Sequence, residues 1–387
     1  MNFWITEVLS SSEAEVFYSL PSKLFGHEAN FIAVPNEIQD DIFNTSKNRR
    51  LDFLRCKRWL LRRDGEVIGR IAAFDHPKPA ANESAGAIGF FDCINEADAA
   101  ARLFEVAESQ LRAWEVDVVD GPIQPGENDQ FWGLLVEGFG KPSFGTNWQP
   151  PYYRAFFESA GFVPYYEQIT NYIRLKDGLP DRFFKIATWV RQKGKVEIRH
   201  FDYSNKLFFA QSVAHVYNHA WHMFDNYKPM LPKQALLELE RLKGVLREDL
   251  VWFAFIQGEP AAFMLMLPDL NEVFVKTKSR LNWLGKLQFW WYNRQKKISR
   301  LKIVVMGVHA AYQKLGLESV LIQAAYEQVQ LRYSAVEEVE LAWVGDFNEP
   351  MKALHQAAGA KPLRKHITFR KAFNPSIQVK RFEIQTD

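Results

Sequence analysis

The stretch with the clearest chemical potential runs Val304-Val305-Met306-Gly307-Val308, then His309 through Leu315, then Gly316 and an apolar-periodic segment to about Arg332. It reads as a strand, a loop and a helix. A helix start behind a glycine-containing loop presents unpaired backbone N–H groups and the positive end of the helix dipole, a combination suited to a pyrophosphate. Lys314 adds a positive charge beside it. The same succession is a common structural one, so by itself it assigns no ligand. His215, His219 and His222 also lie close together, and His215 and His219, four apart, share a helix face. No carboxylate completes a ligand set with them, so no metal is expected.

These residues need elements to position them, and the second half supplies a regular series. Val196–Phe201 reads as a strand, with helices at about 206–222 and 232–245. Leu250–Ile256, Gln257-Gly258 and Pro260–Leu267 form a hairpin. An insertion precedes the Leu301–Val308 strand and the Gly316–Arg332 helix. A strand at Val339–Val344, a helix at Asn348–Ala358 and strand signals at Ala360–Phe373 close the chain. The first half has a similar order: strand Arg55–Arg63, turn Asp64-Gly65, strand Val67–Asp75, strand Gly86–Cys93, a helix over 100–114 and a strand at Asp117–Asp120. A helix over Tyr152–Ala160 and a strand near Glu167–Arg174 complete it. Element order repeats without repetition of letters. The break at Asp177-Gly178-Leu179-Pro180 places the boundary near 175–195, with Asp181–Gln192 as a linking helix.

The valine-ended strand followed by Gln313-Lys314-Leu315-Gly316-Leu317-Glu318 resembles the GNAT superfamily of N-acetyltransferases, whose signature is Arg/Gln-x-x-Gly-x-Gly/Ala. Glu318 departs from it. A second frame, Asn348 through Ala353-Leu354-His355 to Gly359, is similar to the family's asparagine, later tyrosine and glycine, with His355 in the tyrosine's place. The resemblance covers roughly 195–373. It implies a mixed α/β fold: two tandem GNAT-like domains, each a mostly antiparallel central sheet flanked by helices, over 1–180 and 195–375, joined by a linker at 181–194 and followed by a tail at 376–387. It also implies an acyl-CoA, most simply acetyl-CoA, bound by Met306, Gly307, Val308, Gln313, Lys314, Leu315, Gly316, Leu317, Glu318 and Asn348. The 301–308 strand should splay from its neighbour to admit the pantetheine arm. An amine would attack the thioester directly, with His355 as the acid for the leaving thiolate and Glu340 as a weaker candidate base. Tyr217, Asn218 and Trp221 fall where the family builds its acceptor pocket. His355 could equally pack on a helix face, and a carboxylate at 318 could weaken phosphate binding. The rival expectation is therefore a non-catalytic binding protein built on two decayed domains.

In the first half, Phe90-Phe91-Asp92-Cys93 stands where the cofactor strand belongs, but no glycine loop follows, and Glu96 and Asp98 would repel a pyrophosphate. That half resembles uncharacterised two-domain GNAT-like bacterial proteins. Trp148 and Tyr152 could line a recognition pocket or pack an interface. The insertion carries Leu281, Leu284, Leu287 and Trp291 as a helical stripe, widened by Trp283, Phe289 and Trp290 and flanked by basic residues. Over 279–297 it could lie on an anionic membrane, cover a small-molecule amine or lipid-like acceptor, or simply dock on the protein. No nucleic-acid partner is expected, because no nucleic-acid fold accompanies it.

The remaining properties set bounds. A 387-residue chain with 47% apolar and 24% charged residues is globular and long enough for two cores. A net charge of +2 gives no global attraction for polyanions. Two cysteines make no disulfide framework. The start lacks a basic, apolar leader and no run is long enough to span a bilayer, so a cytoplasmic protein is expected.

Overall fold

The computed structural model describes residues 2–383, apart from 49–53, 78, 80–82, 127–129, 194–195, 223–227, 280–282 and 296. Leu281 of the expected stripe therefore lies outside the described residues. The first half runs β1 (Phe3–Glu7), α1 (Ser11–Phe25), α2 (Asn36–Phe43), β2 (Cys56–Arg63), β3 (Glu66–Asp75) and β4 (Ala85–Cys93). It continues with α3 (Ala97–Ala113), β5 (Val118–Gly121), β6 (Leu134–Glu137), α4 (Tyr153–Ser159) and β7 (Val163–Arg174). After α5 (Asp181–Lys193), the second half runs β8 (Val196–His200), α6 (Lys206–Ala220), α7 (Pro232–Arg241), β9 (Val251–Ile256) and β10 (Glu259–Pro268). Then come α8 (Leu270–Thr277), α9 (Trp283–Arg294), β11 (Arg300–Val308) and α10 (Leu317–Arg332). The last elements are β12 (Glu338–Glu340), β13 (Val344–Gly345), α11 (Glu349–Ala357) and β14 (Lys361–Ala372).

Local chemistry explains most boundaries. Asp64 and Gly65 sit at φ 49° and 86°, and Gln257 and Gly258 at 53° and 86°. Both pairs are the left-handed two-residue turns that match strand twist. Ser10 and Glu13 form a reciprocal capping box at the start of α1.

The strands form one mixed sheet ordered β1-β2-β3-β4-β5-β14-β7-β12-β11-β10-β9-β8, flanked by helices. Its centre is an exchange of strands. β7, from the first half, pairs antiparallel with β12 of the second, and β14, which ends the second half, pairs antiparallel with β5 of the first. The two exchanged strands also pair with each other. Ile173 and Leu175 accordingly join the core of the second half, while Ile367 and Phe369 join that of the first.

β14 also delivers two arginines to equivalent positions. Asp120, the last β5 residue paired with parallel β4, is 3% exposed and takes a bidentate pair from Arg370 at 2.7 and 2.8 Å. Glu340, the last β12 residue paired with parallel β11, is fully buried and accepts from Arg364 at 2.7 Å. Burial opposes both charges, but the arginines and their neighbours outweigh it and hold both carboxyls below their usual range. Arg364 and Asn271 donate to the carbonyls of Lys141 and Pro142, at 3.0 and 2.9 Å, fastening this first-half loop onto the second half.

Replacing Arg364 with methionine strands Glu340 without its nearest counter-charge and should cost about 3–5 kcal/mol in chemical denaturation. Because the cores share strands, calorimetry should show one cooperative unfolding transition in which both halves melt together. A depressed carboxyl pKa stabilises above the unfolded value of about 4 and loses that contribution as pH falls through the folded one. Stability should therefore decline on acidification below about pH 4, and less steeply in Glu340→Gln.

Candidate functional site

The site begins where β11 and β12 part. They pair in parallel only over Arg300–Lys302 and Glu338–Glu340. Beyond that point the Leu341 N–H turns to the Asn171 carbonyl at 2.9 Å, and β13 pairs with β7. β11 continues to Val308 paired with β10 alone. Its other edge, from Ile303 onward, has no ladder partner among the described residues. A row of open N–H and C=O groups beside a gap is what the amides of a pantetheine arm can pair with. The expected splay of this strand is present, and it places Met306, Gly307 and Val308 at the open edge.

Past Val308, the His309 Nδ1 accepts the Ala311 N–H at 3.1 Å and starts a single tight turn over Ala310–Tyr312. Gln313 and Leu315 are exposed, and Lys314 and Gly316 take left-handed φ of 67° and 81° before α10 starts at Leu317. The Leu315 N–H turns to the Tyr312 carbonyl at 3.4 Å, so the N–H groups of Gly316 and Leu317, at the positive end of the helix dipole, are the ones an anion could meet. Gly316 is fixed there doubly. Its φ disfavours any side chain, and a Cβ would come within 3.2 Å of Val190 on α5. Glu318 is half-buried at the first turn of α10, and burial pushes its carboxyl pKa up. Asn348 caps α11 by accepting the Met351 N–H at 3.3 Å.

The two expected catalytic groups are both buried among polar partners. His355 is 5% exposed, and its Nδ1 faces Asn171 Nδ2 at 2.9 Å. The amide donates, so the ring proton sits on Nε2, and burial lowers the pKa to about 4. At neutral pH this ring carries no extra proton to give. Arg364, Lys302 and Ser143 hold the charge of Glu340. A small cavity of about 20 Å³ lies beside it at the split, walled in part by Lys302, Trp343 and, from the first half, Phe131 and Thr146.

Of the residues expected in an acceptor pocket, Tyr217 and Trp221 stack with centroids 5.0 Å apart. A Cβ on Gly307 would strike the Trp221 ring at 2.5 Å, so glycine is what lets that indole close over the open strand. Asn218 instead clamps the Met230 backbone with both polar atoms, at 2.9 and 2.7 Å, and serves the loop it holds. Tyr152 donates to the Cys93 carbonyl at 3.2 Å inside the first-half core, whereas Trp148 borders a cavity.

The sequence reading missed His309. It stacks on His219 at 4.1 Å and lies 5.2 Å from His215, so three imidazoles gather at the end of β11. Their candidate ligand atoms lie within 4.8 Å of one another. Burial, then repulsion from neighbouring histidines, lowers the pKa of His215 and His309. The only available signal was a histidine directly after the valine-ended strand. In the insertion, Trp283 is 75% exposed and Trp291 52%, with Leu284, Leu287 and Trp290 also exposed. The helix is anchored on α8 through Phe274 and Phe289 and by a bond from Arg247 to the Asn293 carbonyl.

No known protein-family profile matches this sequence. It is similar to Protein YghO of Escherichia coli (strain K12), 24% identical over 373 residues that cover 94% of each chain. It is also similar to the bacterial ceramide synthase of Caulobacter vibrioides, 25% identical over 389 residues, covering 95% of this chain and 97% of that one. Among solved structures, a tandem GNAT protein from the clavulanic acid biosynthesis pathway matches with a TM-score of 0.55 at 12% identity, over 97% of this chain and all of that one. A GCN5-related N-acetyltransferase from Sphaerobacter thermophilus also matches with 0.55, at 13% identity over 98% of both. The fold is the tandem GNAT fold.

A coenzyme A seated at this helix start would bind Glu318→Gln roughly two- to fivefold more tightly, as expected of removing one charge at a helix N-terminus. Titration calorimetry checks this; unchanged or weaker binding would show that the carboxylate does not compete.

Proposed function

We propose that the protein is an acyl-CoA-dependent N-acyltransferase whose donor site is the open edge of β11 and the Lys314–Glu318 segment, and whose acceptor is the amine of a lipid-like molecule. The observation that carries the reading is the split of β11 from β12 directly ahead of a left-handed glycine loop and a helix start. The pantetheine amides would pair with the β11 edge at Met306–Val308. The pyrophosphate would sit on the N–H groups of Gly316 and Leu317, with the Lys314 and Gln313 side chains beside it. In that pose the thioester points back toward the split. A neutral amine attacks its carbonyl carbon, the carbon–sulfur bond breaks, coenzyme A leaves as the thiol once protonated, and the amine loses its proton to solvent.

Two observations favour a lipid-like acceptor. A ceramide is an N-acylated long-chain amino alcohol, so the relative's name describes an amine taking an acyl group. The exposed tryptophans of α9 lie beside Lys286, Arg294 and Lys297, the pairing of aromatic and basic groups that suits an anionic membrane surface. No helix among the described residues is long and apolar enough to cross a membrane. Any membrane contact made through α9 would therefore be peripheral.

Titration calorimetry with acetyl-CoA should show about one site. A Gly316→Glu variant, which places both a side chain and a charge at that helix start, should weaken binding at least roughly tenfold, or about 1.4 kcal/mol. Wild-type protein that binds no acyl-CoA would favour a non-catalytic role. In sedimentation with anionic vesicles, the wild type should pellet, and a variant with Trp283, Trp290 and Trp291 changed to serine should stay in solution. Equal behaviour of the two would remove the membrane contact.

A further inference from the structure

The first half holds a cavity of about 110 Å³ between α1, α2 and the end of β4. Its apolar wall includes Phe31, Val34, Ile42, Phe90 and Phe91. Its polar floor is largely self-satisfied: Arg70 donates to Asp92 at 2.7 Å and to Gln39 Oε1 at 2.9 Å. Two lining atoms are not satisfied. Gln124 Oε1 and Trp148 Nε1 are buried and have no hydrogen-bond partner among the described residues. Gln124 is oriented by its own amide, since Nε2 donates to the Gln130 carbonyl at 2.9 Å and so places Oε1 on the other side. Folded proteins leave few such atoms unmatched, and one unmatched acceptor and one unmatched donor on residues that line a single cavity call for a ligand that offers both.

This space cannot take a pantetheine arm as the second half can. The Ile123 N–H still reaches the Ile88 carbonyl at 2.9 Å beyond the end of β5, and a Cβ on Gly89 would fall 1.7 Å from the Ile123 oxygen. The strands stay closed where β11 and β12 open. The cavity instead faces the second half. Asn271 of α8 lies in its wall, and it shares Phe131 and Thr146 with the small cavity at the Lys302–Glu340 split. Gln124 is tied to Gln130, next to Phe131, and Trp148 lies two residues past Thr146, so both unmatched atoms belong to the segments that face the donor side.

We propose that this cavity is the acceptor site, binding the head of an amphipathic aliphatic amino alcohol: its hydroxyl or ammonium donates to Gln124 Oε1, an oxygen accepts from Trp148 Nε1, and the chain lies along Phe31, Phe90 and Phe91. Only the word acceptor rests on the acyl-transfer reading; the binding does not. Since one water needs about 10–15 Å³ of such space, there is room for the head and the first several carbons. Each half of the fold would then do one job, the second holding the donor and the first the acceptor.

The probe is 2-amino-1-octanol, titrated into the full-length protein. The wild type should bind it, and Trp148→Phe, which keeps an aromatic ring but removes the N–H with the second ring of the indole, should bind it roughly three- to tenfold more weakly. Gln124→Leu should do the same, and neither change should alter acetyl-CoA affinity. Absence of wild-type binding at millimolar probe, or equal binding by both variants, would overturn the assignment. Trp148-dependent probe binding in a protein that fails to bind acetyl-CoA would sink the donor reading and leave this site standing. Acetyl-CoA binding alongside probe binding indifferent to both residues would do the reverse.

Discussion

The ion pair between Glu340 and Arg364 is the constraint on which the rest of the structure depends. Glu340 is fully buried at the point where the donor strand leaves its neighbour. A carboxylate there is tolerable only with a cation supplied from outside its own parallel pair, and β14 supplies it. The same strand carries Arg370 to Asp120 at the matching point of the first half. One exchanged strand thus neutralises both split points, and the loop at 141–147, bound by Arg364, Lys302 and Asn271, ties the first half to the mouth of the second. The geometry of the donor cleft is set by strand exchange, not by the second half alone.

What was legible in the sequence was what local chemistry decides. Alternation and turn residues located the two hairpins, and helical spacing located α3, α6 and α10. The loop from Gln313 to Glu318 could be read because its glycine answers a local demand for left-handed backbone. The capping box of Ser10 and Glu13 was an available sign of α1 that the pattern reading passed over. The exchange of β7 and β14 was not legible, since a strand reads the same whichever neighbour it joins. The burial of His355 and Glu340 follows from that exchange. Each becomes buried because β7 or β14 arrives beside it, and burial is what lowers the one pKa to about 4 and locks the other into ion pairs. Asn218 likewise turns to a partner distant in sequence, the Met230 backbone.

The two halves share a plan and differ where chemistry would occur. In the second, the parallel pair ends after three residues, a helix start with open N–H groups follows, and an indole closes over a glycine that could be no larger. In the first, the corresponding strands stay in contact beyond their split, and the free space lies instead beneath α1 and α2 with unmatched polar atoms on its wall. This asymmetry is the physical basis for assigning donor and acceptor to different halves. Histidines crowded at the end of β11 and tryptophans exposed on α9 add local character to that arrangement without altering it.

The most direct test of the central claim is release of free thiol from an acyl-CoA by the purified protein, followed with a thiol-reactive dye in the presence and absence of a long-chain amino alcohol. The account predicts release that requires both substrates, is matched one for one by N-acylated product in mass spectrometry, and is lost in Gly316→Glu. Thiol release independent of the amine, or none with acyl chains from two to sixteen carbons while the protein remains folded, would contradict it.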